Sequence, residues 1–121
     1  MSRHAVIIRI MAETRYISIT GLKLNSPWHW PRFMWHAMRS SAQARKAEGN
    51  LRAEVKQVGR MYCTLSVWEN HRAMKRFLYQ GAHGKAVRDF DNFATGTTYG
   101  YEAAETPDWD EAVRLLAEKG Q

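Results

Sequence analysis

The chain has 121 residues, of which 45% are hydrophobic and 25% charged, a composition typical of one globular domain that excludes a disordered chain. Its net charge of +6 comes from basic residues that lie singly or in pairs without a nucleic-acid-binding motif, so a solvated basic surface is favoured over a nucleic-acid site. The single cysteine, Cys63, excludes an intrachain disulfide, and no apolar run reaches the roughly 20 residues that a membrane span requires.

The first fourteen residues contain a short apolar run that Arg9 interrupts. The run ends before the apolar core of a signal peptide could form, so we expect a cytoplasmic protein. We also expect residues 1–14 to be a poorly ordered extension, because the rest of the chain supplies a complete set of elements without them. Residues 15–121 are then predicted to form a single domain.

The first strand and the first helix are predicted from residues 15–48. Alternating, β-branched residues indicate a strand from Arg15 to Leu24, and Ser26-Pro27 is typical of a helix start. Apolar residues at three-and-four spacing predict the buried face of this helix, namely Trp30, Phe33, Met34, Ala37, Met38, Ser41 and Ala44. His36 falls on one flank, where solvent is expected. Trp28 and Trp35 fall on the other, where we expect a partner surface or the mouth of a ligand site.

The remaining elements follow in the same way. Two alternating stretches, 50–59 and Met61–Trp68, predict a hairpin joined at Gly59-Arg60. Asn70 predicts the cap of a second helix, which Gly81 interrupts before a further helical segment from His83. Residues 94–102 predict a fourth strand, and Thr106-Pro107 starts a last helix. The order β-α-β-β-α-β plus a helix predicts an α+β, ferredoxin-like fold.

In a ferredoxin-like fold the helices cover one face of the sheet and leave the other open. Apolar side chains occur on both sides of the third strand, so the open face needs a cover. An identical chain is the simplest cover, and we therefore expect a homodimer in the form of a dimeric α/β barrel.

Residues 64–69 (TLSVWE), with Ala73, Met74, Phe77, His83 and Ala86 after them, carry a family resemblance. This string resembles the spheroidene monooxygenase family and the broader antibiotic-biosynthesis-monooxygenase-like dimeric α/β barrels. The resemblance implies a cavity between the sheet and the helices that is bordered by the histidine. It also implies a range of activities, since that superfamily includes cofactor-free oxygenases, haem proteins and isomerases.

His83 is the candidate catalytic residue, because a neutral imidazole facing inward could take a proton from an acidic substrate. The alternative is a structural histidine that hydrogen-bonds a backbone carbonyl. Five further side chains are candidates for substrate binding: Trp68, Tyr62, Ser66, Phe77 and His36. No cluster has the ligand spacing of a metal site, and no cofactor is expected, although haem bound by His83 or His36 stays open.

The sequence thus predicts a monooxygenase-like protein that oxidises or binds a hydrophobic, aromatic or polyene-like small molecule. Two alternatives remain open: a non-enzymatic module that binds a small molecule, and a haem protein of the same fold. Neither a nucleic-acid partner nor a membrane span is expected.

Overall fold

The computed structural model describes residues 14–121. The predicted extension therefore lies, apart from Thr14, outside the described residues. The elements in chain order are β1 (Arg15–Leu24), α1 (Trp30–Lys46), β2 (Asn50–Val58), β3 (Met61–Trp68), α2 (His71–Tyr79), α3 (Gly81–Asp89), β4 (Ala94–Ala103) and α4 (Trp109–Lys119). Short 3-10 turns at Pro27–His29 and Phe90–Asn92 precede α1 and β4.

The four strands form one sheet in the order β2-β3-β1-β4, and every neighbouring pair is antiparallel. This order and the two crossover connections confirm the predicted ferredoxin-like α+β fold. None of the helices within residues 14–121 combines the length and the apolar character that crossing a bilayer requires.

Local signals account for most of the element boundaries. The side chain of Asn70 accepts a hydrogen bond from the backbone N–H of Ala73 at 2.9 Å, and Asp108 accepts one from Glu111 at 2.8 Å. Each carboxyl or amide oxygen satisfies a donor that the first turn of a helix leaves free. The last helix consequently begins at Trp109, two residues later than its Thr106-Pro107 start was predicted. Gly81, at a φ of 55°, separates α2 from α3.

Helix α4 covers the sheet face that was expected to be open. Its Ala112 and Leu116 pack against Ile17, Ile19 and Leu65 in one buried cluster. The chain therefore supplies its own cover for the centre of this face, and the premise of an open face for a second chain is wrong. The sequence predicts α4 as an element, but it does not say on which side of the sheet the helix docks.

Helix α1 buries or half-buries five of the seven residues of its predicted apolar face, namely Phe33, Met34, Ala37, Ser41 and Ala44. Its buried residues are Phe33, His36 and Ala44, while Trp30 and Met38 are exposed. His36 was expected to face solvent, and that expectation is wrong. The physical reason is a hydrogen bond: Nε2 of His36 lies 2.8 Å from Oδ2 of Asp89, at the end of α3. A buried imidazole is tolerated because this carboxylate partners it.

Candidate functional site

The helix-facing side of the sheet carries hydroxyl groups at its centre. Ser18 and Thr20 on β1 pair in register with Ser66 and Thr64 on β3, and all four side chains are half-buried. Thr20 Oγ1 also lies 3.3 Å from Oγ1 of Thr98 on β4. A sheet face that is covered by helices is ordinarily apolar. Packing against the helices therefore does not explain why this face carries hydroxyl groups at its centre. It offers hydrogen bonds to a ligand lying between the sheet and the helices.

A row of aromatic side chains extends from these hydroxyl groups on the sheet to the helices. The indole N–H of Trp68 donates to Ser66 Oγ at 2.9 Å, and Trp68 has no exposed surface. The ring centres of Trp68 and Phe77 are 5.0 Å apart, and those of Phe77 and His83 are 4.4 Å apart. Four of the six predicted site residues are therefore joined in one continuous chain of contacts.

The hydrogen bonds of His83 define its tautomer. Nδ1 lies 3.0 Å from the carbonyl oxygen of Leu78, which can only accept, so Nδ1 carries the proton and Nε2 carries a lone pair. Burial lowers the pKa of His83 below its usual value, and the hydrogen bond to Leu78 offsets this only in part. The ring is therefore neutral at pH 7, with Nε2 able to accept a proton.

Nε2 of His83 is also accessible. Nε2 makes no hydrogen bond with any residue of the described part of the chain. Within that part, Oγ of Ser40 is the only side-chain N or O atom that is both fully buried and without a hydrogen-bond partner, so Nε2 is not fully buried. Nε2 therefore has contact with solvent. An open lone pair on a neutral imidazole is what a proton acceptor needs.

Gln43 fixes the backbone around His83. Its Oε1 accepts from the backbone N–H of His83 at 2.8 Å, and its Nε2 donates to the carbonyl oxygen of Gln80 at 2.9 Å. One side chain of α1 thus holds both sides of the Gly81 junction. Sequence reasoning missed Gln43, because its partners lie about 40 residues away and no local pattern signals the contact.

The other two predicted residues, His36 and Tyr62, lie in a second group. Tyr62 packs on Phe33 with ring centres 4.6 Å apart, and His36 stacks on Phe93 at 5.6 Å. Tyr62 and Trp68 mark opposite ends of β3, roughly 20 Å apart at about 3.3 Å per residue. The structure therefore brings His83, Phe77, Trp68 and Ser66 together but separates them from Tyr62 and His36.

Asp89 is the charged centre of this second group and was not predicted from the sequence. Hydrogen bonds from Asn92 and His36, together with the positive charge of Arg32, lower its pKa to about 2. The same carboxylate oxygen accepts from Arg32 Nε at 2.8 Å and meets His36 at the same distance. Within residues 14–121 no group of three His, Cys, Asp or Glu side chains could hold a metal ion.

The described residues line several surface hollows, of which two are relevant to the candidate residues. The one of about 490 Å³ lies between α1 and α2 and is lined by Gln43, Lys46, Ala47, Glu48, Ala73, Arg76, Phe77 and Gln80. The other, of about 560 Å³, is lined by Arg15, Leu51, Arg52, Val67, Ala104 and Thr106. His83 lines neither hollow, although its neighbour Phe77 lines the first. The role of His83 in a ligand site therefore stays a prediction.

Comparison with known sequences identifies one family. The family model described as "Domain of unknown function (DUF3291)" matches residues 28–120. No curated protein matches the sequence.

Solved structures share the fold at low sequence identity. SnoaB of Streptomyces nogalater, a cofactor-independent oxygenase, is 17% identical with a TM-score of 0.63, and the match covers 78% of this chain and 98% of SnoaB. A Deinococcus radiodurans protein provisionally described as an antibiotic biosynthesis monooxygenase is 20% identical with a TM-score of 0.66, over 77% of this chain and 96% of that protein. The chain thus shares the fold of these structures, as its resemblance to antibiotic-biosynthesis-monooxygenase-like proteins predicts.

Proposed function

Because the chain belongs to the DUF3291 family and shares its fold with the oxygenase SnoaB, we propose that it is a monooxygenase-like protein acting on a hydrophobic, aromatic or polyene-like small molecule. The substrate would lie on the helix-facing side of the sheet, above the hydroxyls of Thr64 and Ser66. Phe77 would supply an apolar wall, with the buried Trp68 packed behind it, and a phenol or carbonyl of the substrate would bond to the hydroxyls.

The observation that carries this proposal is the state of the His83 imidazole. It is neutral, its Nδ1 proton is held by Leu78, and its Nε2 lone pair is open. His83 would accept a proton from an acidic C–H or phenol O–H of the substrate. The resulting anion would give electrons to dioxygen, one oxygen atom would enter the product and the other would leave as water. The substrate supplies all the electrons, so the protein needs to supply only a base and a shielding pocket.

The test measures oxygen uptake with anthrones and dihydroxynaphthalenes as probe substrates. His83→Ala is expected to lower turnover by roughly 10²–10⁴-fold, the usual span for general acid–base catalysis. His83→Gln is expected to be nearly as impaired, because an amide does not accept a proton near pH 7. His29→Ala is the matched control, since it removes a half-buried histidine of the 3-10 turn before α1. Wild-type turnover in both His83 variants would contradict the assignment.

A non-enzymatic binding module is the second candidate. The observation that favours it is that His83 is anchored to Leu78 and lines neither hollow. It predicts that the probes bind without consuming oxygen and that His83→Ala leaves their affinity unchanged. The haem alternative now depends on Nε2 of His83, because Nε2 of His36 already meets Asp89. An absorption spectrum of the protein mixed with haem tests it.

The homodimer also remains our proposal. Since α4 covers the centre of the sheet face, we place the contact at the edge strand β2, where Leu51 and Val55 are exposed. An unpaired edge with apolar side chains is a natural place for association. Light scattering should show a dimer that Val55→Glu dissociates. A monomer at micromolar concentration would refute the dimer.

A further inference from the structure

The outer surface of helices α1, α2 and α3 and of the 3-10 turn Pro27–His29, here called the helical surface, exposes large apolar side chains. The most exposed are Trp28 at 91%, Trp30 at 49%, Trp35 at 50%, Met38 at 68% and Tyr79 at 67%. Helical periodicity places Trp35 and Met38 on the side of α1 opposite the buried Phe33 and Ala44. These side chains therefore point away from the core, where leaving them in water is unfavourable.

The helical surface is also strongly basic. Helices α1, α2 and α3 contain nine Lys and Arg residues, all exposed, and a single acidic residue, Asp89. Asp89 is already engaged by Arg32 and His36. Residues 14–47 contain no Asp or Glu at all. On the opposite side of the sheet, α4 carries three acidic and two basic residues, so the positive charge is concentrated on the helical side.

We propose that the helical surface docks on an anionic lipid membrane, with the side chains of Trp28, Trp35 and Met38 in the headgroup region. Exposed tryptophans combined with Lys and Arg on one face of a helix are typical of helices that lie in the plane of a membrane interface. Arg39, whose guanidinium lies 4.7 Å from the ring centre of Trp35, would reach a lipid phosphate beside the inserted ring. The chain lies on the membrane and does not span it.

Two other occupants fit less well. A second copy would place this basic surface against itself, where two carboxylates, Asp89 beside Arg32 and Glu48 beside Arg76, are too few to balance the repeated positive charges. A single-stranded nucleic acid stacks its bases on aromatic rings in a groove that follows the backbone. Here the rings stand on the outward side of a helix, where they suit insertion between lipid headgroups.

Vesicle co-sedimentation tests the proposal. Vesicles of phosphatidylcholine mixed with phosphatidylglycerol are expected to bind the protein at least about tenfold more tightly than phosphatidylcholine alone, and added salt should reverse the difference. The double variant Trp28→Ala/Trp35→Ala should lose about tenfold in affinity for the anionic vesicles. Brominated lipids should quench the tryptophan fluorescence of the wild type more strongly than that of the double variant, which keeps Trp30, half exposed on the same surface, the buried Trp68, and Trp109 of α4.

Matched controls separate this surface from the rest of the molecule. Arg114→Glu and Lys119→Glu each reverse an exposed charge of α4, on the opposite side of the sheet. Both should bind vesicles like the wild type, whereas Arg39→Glu should bind several-fold more weakly. Equal binding to neutral and anionic vesicles would overturn the proposal. So would a dimer that the double variant dissociates, or a preference for an oligonucleotide over the vesicles.

Discussion

The two sides of the central strands β1 and β3 differ sharply although alternating residues of the same strands form them. On the side of α4, Ile17, Ile19 and Leu65 are almost completely buried against one helix. On the side of α1, Ser18 and Thr64 of the same strands carry hydroxyls and keep partial exposure. The side that faces α4 stabilises the fold by burying apolar side chains. The side that faces α1 has half-buried hydroxyl groups at its centre, which is the arrangement expected where a ligand completes the packing.

The largest expected effect on stability comes from substituting Leu65, which is compared with a substitution of its neighbour Thr64 on the other side of β3. Leu65→Ala should lower the free energy of unfolding by about 2–5 kcal/mol, because it removes fully buried methyl groups and leaves a cavity under α4. Thr64→Val should change it by less than about 1 kcal/mol, since the hydroxyl makes no hydrogen bond within residues 14–121.

Urea unfolding followed by far-UV circular dichroism measures both variants. Similar decreases in the free energy of unfolding for Leu65→Ala and Thr64→Val would contradict the conclusion that the side facing α4 contributes most of the stability. If the proposed site is correct, Thr64→Val should also weaken binding of a phenolic probe at unchanged stability. Leu65→Ala should bind the probe normally wherever the variant is folded.

A smaller effect is expected where α4 approaches the sheet most closely. A Cβ atom at Gly21 would lie 2.7 Å from Leu116 Cδ2 and 2.7 Å from Met61 Sδ. Gly21→Ala should therefore destabilise the protein by about 1–3 kcal/mol, towards the lower end because both neighbours are ends of flexible side chains.

Ser18→Ala is the control for this variant, because Ser18 lies on the same strand but faces the other helices. Its stability should stay within about 0.5 kcal/mol of the wild type by thermal unfolding. A neutral Gly21→Ala would mean that α4 packs more loosely than the structure shows.

The same contrast explains which features could be predicted from the sequence. Strands β1 and β3 have the predicted boundaries, because alternation is a local signal that both faces of a strand enforce. The ferredoxin-like order follows from these elements and their connections. The docking side of α4 could not be predicted, since its apolar stripe of Trp109, Val113 and Leu116 would fit either side of the sheet.

The site could be predicted only in part. Trp68, Phe77 and His83 come together because they follow one another along β3, α2 and α3, which is close in sequence as well as in space. The burial of His36 depends on Asp89, 53 residues away, and no local pattern reveals such a pair. A polar partner on another element accompanies the burial of His36, whereas periodicity alone counts His36 as a surface residue.

The smallest expected effect concerns the dependence of stability on pH through His83. Burial lowers the pKa of His83 in the folded state, whereas the unfolded chain keeps the ordinary value of about 6.5. Between these two pKa values the unfolded state binds more protons than the folded state, so stability rises with pH across that window. The contribution of His83 is therefore complete above about pH 6.5 and is lost as the pH falls towards the folded pKa.

His83→Gln should remove this dependence, and at pH 8 it should cost about 0.5–1.5 kcal/mol for the weakened hydrogen bond to Leu78. Unfolding of the wild type and His83→Gln is compared at several pH values from about 5 to 8, around the unfolded pKa. The difference in stability between wild type and His83→Gln should shrink as the pH falls. Carboxylates that titrate at low pH affect both proteins alike and cancel in this difference. A gap that widens on acidification would mean that the imidazole is charged in the folded protein, and His83 could then not serve as a proton acceptor.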